Sequence, residues 1–255
     1  MNKVLLVNDD GINSPGLHAL AELFSELGWE ITMVAPAHNQ SGKSFAITFN
    51  SPIKVTSVTP RSLRKIANLK CYKVFGTPLD CVNLGLKQLM PTMPDLLVSG
   101  INAGANVSFN ILYSGTVSNA IESSRFKVPS IAISVANFFP VNSHYIQATT
   151  TLKKILKTYP FDYSKVYNIN IPDKFDAPKV VNTCVLEGSP NGFYKEISPG
   201  KYQLMEDEHD LSLVKKGHLP TDVETLRNGN VSLSVLHVER PLPVMLQVEI
   251  PVEDN

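Results

Sequence analysis

An α/β fold, with a Rossmann-like, mostly parallel sheet carrying helices on both faces and a smaller β-rich C-terminal appendage with an extended tail, is predicted by three features of this sequence. A continuous apolar run at 4–7 and largely apolar runs at 30–35, 95–100 and 130–135 alternate with helical patterns, and strands buried on both faces read as apolar stretches without strict alternation. The first three of these runs end in polar loops that begin at Asn8, Pro36 and Ile101. Beyond Pro172, prolines and turns become frequent and apolar residues alternate at 180–185 and 231–235, the pattern of half-exposed strands.

The first run, Val4-Leu5-Leu6-Val7, delivers Asn8-Asp9-Asp10-Gly11 to its carboxyl end, where open α/β sheets bind ligands. Ser14 and Pro15 suit a helix N-cap and first position, Leu17, Leu20, Leu23, Phe24 and Leu27 form an apolar face, and Gly28 closes the helix. With the strand at 30–35 this makes a βαβ unit. The stretch 45–75 reads as an inserted hairpin or an irregular β segment. Thr77-Pro78-Leu79-Asp80 then has the form of a capping box before a helix.

The strand at 95–100 runs into Asn102-Ala103-Gly104. Ser114-Gly115-Thr116 precedes a helix over 117–126. A strand at 130–135, a helix over about 144–158 and an edge strand at 166–171 complete the core. The expected division is a catalytic core over 1–172, with the β insertion around 45–75, and a β-rich appendage and tail over 173–255 serving oligomerisation. Arg240-Pro241-Leu242-Pro243 and the apolar 244–250 read as an extended tail strand.

Composition narrows the function. Lys plus Arg equals Asp plus Glu at 23 each in 255 residues, so no global field attracts a long nucleic acid or an anionic membrane. Cys71, Cys81 and Cys184 have no metal-ligand spacing and read as reduced thiols. No signal-peptide core precedes the first strand and no apolar run reaches membrane-spanning length. A cytoplasmic protein without a membrane partner is expected.

Asp9, Asp10, Ser41 and Asn102 stand in three loops at strand ends and offer oxygen ligands only, a donor set that suits Mg²⁺ or Mn²⁺ better than Zn²⁺. The helix start after Ser114-Gly115-Thr116 offers N–H groups and the positive end of a helix dipole to a phosphate. For Asp9 and Asp10 alone, turn chemistry is the competing explanation, and Ser41-Gly42 alone is an ordinary turn. His18, His38 and Arg125 carry no specific signal, and Asp80 reads as a cap.

Asn8-Asp9-Asp10-Gly11 with Ser14-Pro15-Gly16, Gln40-Ser41-Gly42, Gly76-Thr77-Pro78-Leu79-Asp80-Cys81, Ser99-Gly100-Ile101-Asn102-Ala103-Gly104 and Tyr113-Ser114-Gly115-Thr116 together resemble the SurE family of nucleotidases. The resemblance is dense over 3–135. Further on, Asn168-Ile169-Asn170-Ile171-Pro172 and Thr221-Asp222 resemble later landmarks. It implies a metal-dependent phosphatase of nucleoside 5′- and 3′-monophosphates, in a family that sometimes also acts on short polyphosphate. It implies one divalent ion per subunit on Asp9, Asp10, Ser41 and Asn102, with Asp9, Asp10 and Asn102 as catalytic residues. Phosphate is expected at Asn102, Gly104, Ser114, Gly115 and Thr116, and a homo-oligomer, dimer or tetramer, is implied. Gln40 stands where the family often has a basic residue, and the tail departs most from its pattern.

Other classes fit less well. A phospho-aspartate phosphatase would space its carboxylates Asp-x-Asp, whereas Asp9 and Asp10 are adjacent. A dinucleotide fold would need Gly-x-Gly-x-x-Gly, which Asn8 to Pro15 lacks. A non-catalytic nucleotide-binding oligomeric scaffold remains the alternative, and metal-dependent turnover separates the two.

Overall fold

The computed structural model describes residues 1–174, 178–185, 192–206 and 219–237. In chain order the strands and helices are β1 (Lys3–Val7), α1 (Pro15–Glu26), β2 (Glu30–Pro36), β3 (Val55–Val58), β4 (Leu69–Val74), α2 (Pro78–Leu84), β5 (Leu96–Ala103), α3 (Gly115–Arg125), β6 (Ser130–Val135), α4 (Asn142–Thr158), β7 (Lys165–Ile171), β8 (Val180–Thr183), β9 (Gly192–Ser198), β10 (Lys201–Glu206), α5 (Asp222–Arg227) and β11 (Val231–His237). A nine-stranded sheet runs in the order β3-β4-β2-β1-β5-β6-β7-β11-β8. The neighbours from β4 to β7 are parallel; β3 on β4 and β11 on β7 are antiparallel.

The continuous apolar run of β1 is explained by helices on both sides. Val4 and Leu6 join Leu17, Leu20 and Phe24 of α1 and Leu152 of α4 in one core, while Leu5 and Val7 join Cys81 and Val82 of α2 in another. Val117 and Ala120 of α3 pack on Ala132 and Val166 on that second side. Successive strand residues point to opposite faces, so a strand between two helical layers must be apolar at every position.

The expected hairpin is present as β3 and β4, and it extends the main sheet, since β4 pairs with β2 from Ile31 to Pro36. One expectation is corrected: β7 is no edge strand, because β11 pairs along it from Ser232 opposite Asn170 to His237 opposite Lys165. The alternating segments at 180–183 and 231–237 therefore extend the central sheet. Hairpin β9–β10 forms a separate two-stranded sheet. The tail motif at 240–243 and the strand expected at 244–250 lie outside the described residues.

The capping box of α2 is present: Thr77 Oγ1 accepts from the Asp80 N–H at 3.2 Å, and Asp80 Oδ2 accepts from the Thr77 N–H at 2.8 Å. Asp80 does more than cap, because it also accepts from the N–H and hydroxyl of Thr48 at 3.1 and 2.6 Å. That clasp fastens the irregular loop after β2 to α2. Ser14 holds the N-cap position of α1, but its hydroxyl caps nothing.

Close approach at Gly16 fixes where α1 begins. A Cβ there would stand 2.1 Å from the Ile101 carbonyl oxygen and 3.0 Å from the Tyr145 ring, so only glycine lets α1, β5 and α4 converge. Gly16→Ala is expected to destabilise the fold by about 1–3 kcal/mol, the usual cost of overpacking, read as a lowered Tm in thermal unfolding.

Candidate active site

Alternation along β1 continues past its last hydrogen bond. Asp9 follows Leu5 and Val7 toward α3, and Asp10 follows Val4 and Leu6 toward α1 and α4. Thr116 Oγ1 donates to Asp9 Oδ1 at 2.6 Å, and the Gly115 N–H also reaches this carboxylate. A Cβ on Gly115 would fall 2.7 Å from Asp9 Oδ2, so the glycine makes room for the acid at the start of α3. Asp9 is 3% exposed. Burial raises its pKa, and the hydrogen bonds from Thr116 and Gly115 oppose that rise.

Asp10 borders a cleft of about 390 Å³, lined also by Asn13, His38, Asn39, Ala103 and Tyr145. Burial, reinforced by the charge of Asp9, pushes the Asp10 carboxyl up to about 7, against a hydrogen bond from the Ala103 N–H. The phenol of Tyr145 is raised in turn, by burial first and then by the charge of Asp10.

Asn8 shapes the loop that carries both acids. Its Nδ2 donates to the Gly11 carbonyl at 3.0 Å, and its Oδ1 accepts from the Gly11 N–H at 3.1 Å. Gly11 has φ +107°, a conformation that favours glycine. The Gln40 N–H donates to the Asp9 carbonyl at 2.8 Å, which ties the loop after β2 to the acidic pair one residue before Ser41. Ser41 itself is exposed, with its N–H on Asn39 Oδ1 at 2.8 Å. Ser44 Oγ donates to the Leu112 carbonyl at 2.7 Å, and Ser118 Oγ donates to the Ser44 carbonyl at 2.9 Å. The loop carrying Ser41 is thus pinned to both the acidic pair and the α3 region.

Asn102 and Gly104 stand at the end of β5. Asn102 Nδ2 donates to the Gly104 carbonyl at 2.7 Å, which leaves Oδ1 as the amide atom able to meet a cation. The Gly104 N–H donates to the Val135 carbonyl at 2.9 Å, and the Ser114 hydroxyl accepts from the Val117 N–H at 3.0 Å as an N-cap. Several groups expected around a phosphate are therefore engaged within the protein: the Gly104 amide on Val135, and the Gly115 amide and Thr116 hydroxyl on Asp9.

Among the described residues no ion pair reaches Asp9 or Asp10, and no cluster of three or more His, Cys, Asp or Glu is placed to hold a metal. Two adjacent carboxylates, one buried and one half-buried, without a basic partner fit a cation, since like charges this close disfavour joint ionisation. Such an ion would take hydroxyl and amide oxygens, from Ser41 and Asn102, beside the two carboxylates. That donor chemistry is the one hard divalent ions prefer.

Sequence reasoning missed a buried amide cluster behind this loop. The Asn106 N–H donates to Asn170 Oδ1 at 2.8 Å, Asn106 Nδ2 donates to Ser134 Oγ at 2.8 Å, and Asn168 and Asn170 both donate to the Asn106 carbonyl, at 2.8 and 3.1 Å. Its signal was the pair of asparagines two apart in an otherwise apolar strand. His18 proves structural, with Nε2 3.0 Å from the Ile12 carbonyl and Nδ1 3.0 Å from Ser62 Oγ. Arg125 pairs with Glu122 at 2.8 Å on the face of α3.

Fold and crevice together define a Rossmann-like α/β protein with a candidate ligand site at the strand ends, around the adjacent acids Asp9 and Asp10. The family described as Survival protein SurE matches residues 4–189, and the chain belongs to the SurE family. The protein named 5′-nucleotidase SurE from Clostridium botulinum (strain Kyoto / Type A2) is 37% identical over 242 residues, spanning 92% of this chain and 93% of its own. That of Geobacter sp. (strain M21) is 36% identical over 248 residues, 93% of each chain. The crystal structure of SurE from Aquifex aeolicus matches with TM-score 0.70 at 31% identity, over 93% of this chain and 94% of that one.

The acidic pair has a measurable pH signature in metal-free protein. Asp10 has its folded pKa, about 7, above its ordinary value of 3.8, so ionising it costs stability in full above pH 7, and the cost disappears as pH falls toward 4. Asp10→Asn should therefore raise the Tm of EDTA-treated protein more at pH 8 than at pH 5.5. Added Mg²⁺ or Mn²⁺ should stabilise the wild type more at the higher pH, because protons compete with the ion. Thermal unfolding at the two pH values checks both.

Proposed function

We propose that this chain is a metal-dependent phosphomonoesterase that hydrolyses nucleoside 5′-monophosphates to nucleoside and phosphate. The observation that carries the reading is the adjacent pair of Asp9, buried, and Asp10, half-buried, with no basic partner among the described residues, in a chain whose relatives are named 5′-nucleotidase SurE. Asp9, Asp10, Ser41 and Asn102 hold one divalent ion per subunit, Mg²⁺ or Mn²⁺. When bound, such an ion neutralises phosphoryl charge and makes a water more acidic.

The residues of the chain supply the rest. Thr116 and Gly115 aim Asp9 through hydrogen bonds to its carboxylate, which oppose the rise that burial gives its pKa. Asp10, open to the cleft, orients the attacking water, and Asn102, turned by Gly104, presents Oδ1. The phosphate lies between the Asn102–Gly104 loop and the start of α3, where the helix dipole favours an anion. Ser114, Gly115 and Thr116 act there mainly by keeping that helix end and Asp9 in place.

The same site accepts 3′-monophosphates and short polyphosphate, and the protein works in the cytoplasm as a dimer or tetramer. Its three cysteines are free thiols, and no described helix is long and apolar enough to cross a membrane. Phosphate release from a panel of nucleoside 5′- and 3′-monophosphates by EDTA-stripped protein is expected only after Mg²⁺ or Mn²⁺ is restored. Asp9→Asn should lower that turnover by more than the about 10- to 100-fold that loss of a supporting partner costs. Release by stripped protein, or no release with either metal from folded protein, would refute the proposal, and the second result would favour a nucleotide-binding scaffold.

A further inference from the structure

The loop after β5 is held from behind by amides of β7. Asn168 and Asn170 are fully buried, on the same face of the strand that Val166 presents to Val117 and Ala120 of α3. Nothing in the sheet itself asks for amides there. Asparagine suits strands poorly, and the opposite face of β7 is apolar at Tyr167, Ile169 and Ile171. Asn168 Oδ1 is buried with no hydrogen-bond partner among the described residues, which costs stability.

The two amides grip the backbone of one loop residue. Asn170 accepts from the Asn106 N–H and donates to the Asn106 carbonyl, and Asn168 donates to that carbonyl as well. Two residues on, Ser108 stands at φ +52°, a conformation uncommon for residues other than glycine. Its N–H donates at 2.8 Å to Asp222, a carboxylate buried at the start of α5. The loop is thus fixed at Gly104 on β6, at Asn106 on β7 and at Ser108 on α5. Its other end meets the acidic pair: the Ala103 N–H donates to Asp10, and Asn102 presents Oδ1.

We propose that Asn168 and Asn170 are positioning residues of the metal site: by clamping the Asn106 backbone they set Asn102 and Ala103 against Asp10. This rests on the reading of the acidic pair as a cation site and adds to it what keeps the Asn102 loop in register. A ligand set works when its atoms are held within about 0.5 Å of the required geometry. Residues 104–107 belong to no strand or helix, so no regular ladder does this for the loop.

Asn168→Leu tests the clamp, because it removes one donor and the partnerless oxygen at nearly constant side-chain size. In metal-free protein its Tm should equal or exceed that of wild type, since an apolar group replaces an unsatisfied one. Amide hydrogen exchange over 102–108 should nevertheless quicken by about 2- to 10-fold, the worth of one hydrogen bond. Calorimetric Mn²⁺ affinity per folded chain should fall by a similar factor. Asn170→Ala, which loses two bonds, should go further on both readouts. Wild-type exchange over 102–108, or wild-type Mn²⁺ affinity, in both folded variants would mark a merely structural pair and overturn the inference, whatever the Tm. If wild type binds no Mn²⁺, the cation reading fails, and exchange alone decides the clamp: quickening over 102–108 in both variants upholds it, and unchanged exchange overturns it.

Discussion

Two adjacent carboxylates at the end of β1, Asp9 buried and Asp10 half-buried, with no basic side chain paired to them among the described residues, set the terms for the rest of this structure. Burial raises both pKa values, and Asp9 adds to the rise of Asp10. A fold gains nothing from such a pair alone. The surrounding elements are arranged around it: Gly115 gives up its side chain to admit Asp9, Thr116 donates to it, Asn8 locks the loop, and Gln40 brings the neighbouring loop into contact through the Asp9 carbonyl.

The same pair explains why the crevice has two unlike sides. Because successive residues alternate in direction, adjacent aspartates serve opposite faces of the sheet. One meets a tightly packed helix start and the other an open cleft. An Asp-x-Asp spacing would put both acids on one face and lose that division. Membership of the SurE family agrees with the arrangement, since the relatives that cover more than nine-tenths of the chain are named 5′-nucleotidase SurE.

The central strands were legible in the sequence because burial on both faces demands unbroken apolar runs, and β1, β2 and β6 lie where those runs are. The capping box at Thr77 and the helix after Ser114 were legible because their hydrogen bonds span only three residues. Long-range pairing was not. The interior place of β7 depends on β11, which follows it by some sixty residues, and nothing local in either strand names the partner. The polar loops were found because they follow the strands, but the engagement of Gly104 with Val135 and of Thr116 with Asp9 depends on tertiary contact.

The most direct test of the claim that the acidic pair is a cation site is calorimetric titration of Mn²⁺ into metal-free protein near pH 7.5. One ion per chain is expected for wild type, with affinity lowered at least about tenfold in both Asp9→Asn and Asp10→Asn, the scale on which metal sites respond to lost partners. Wild-type affinity in either folded variant, or no Mn²⁺ binding at all, would contradict the account.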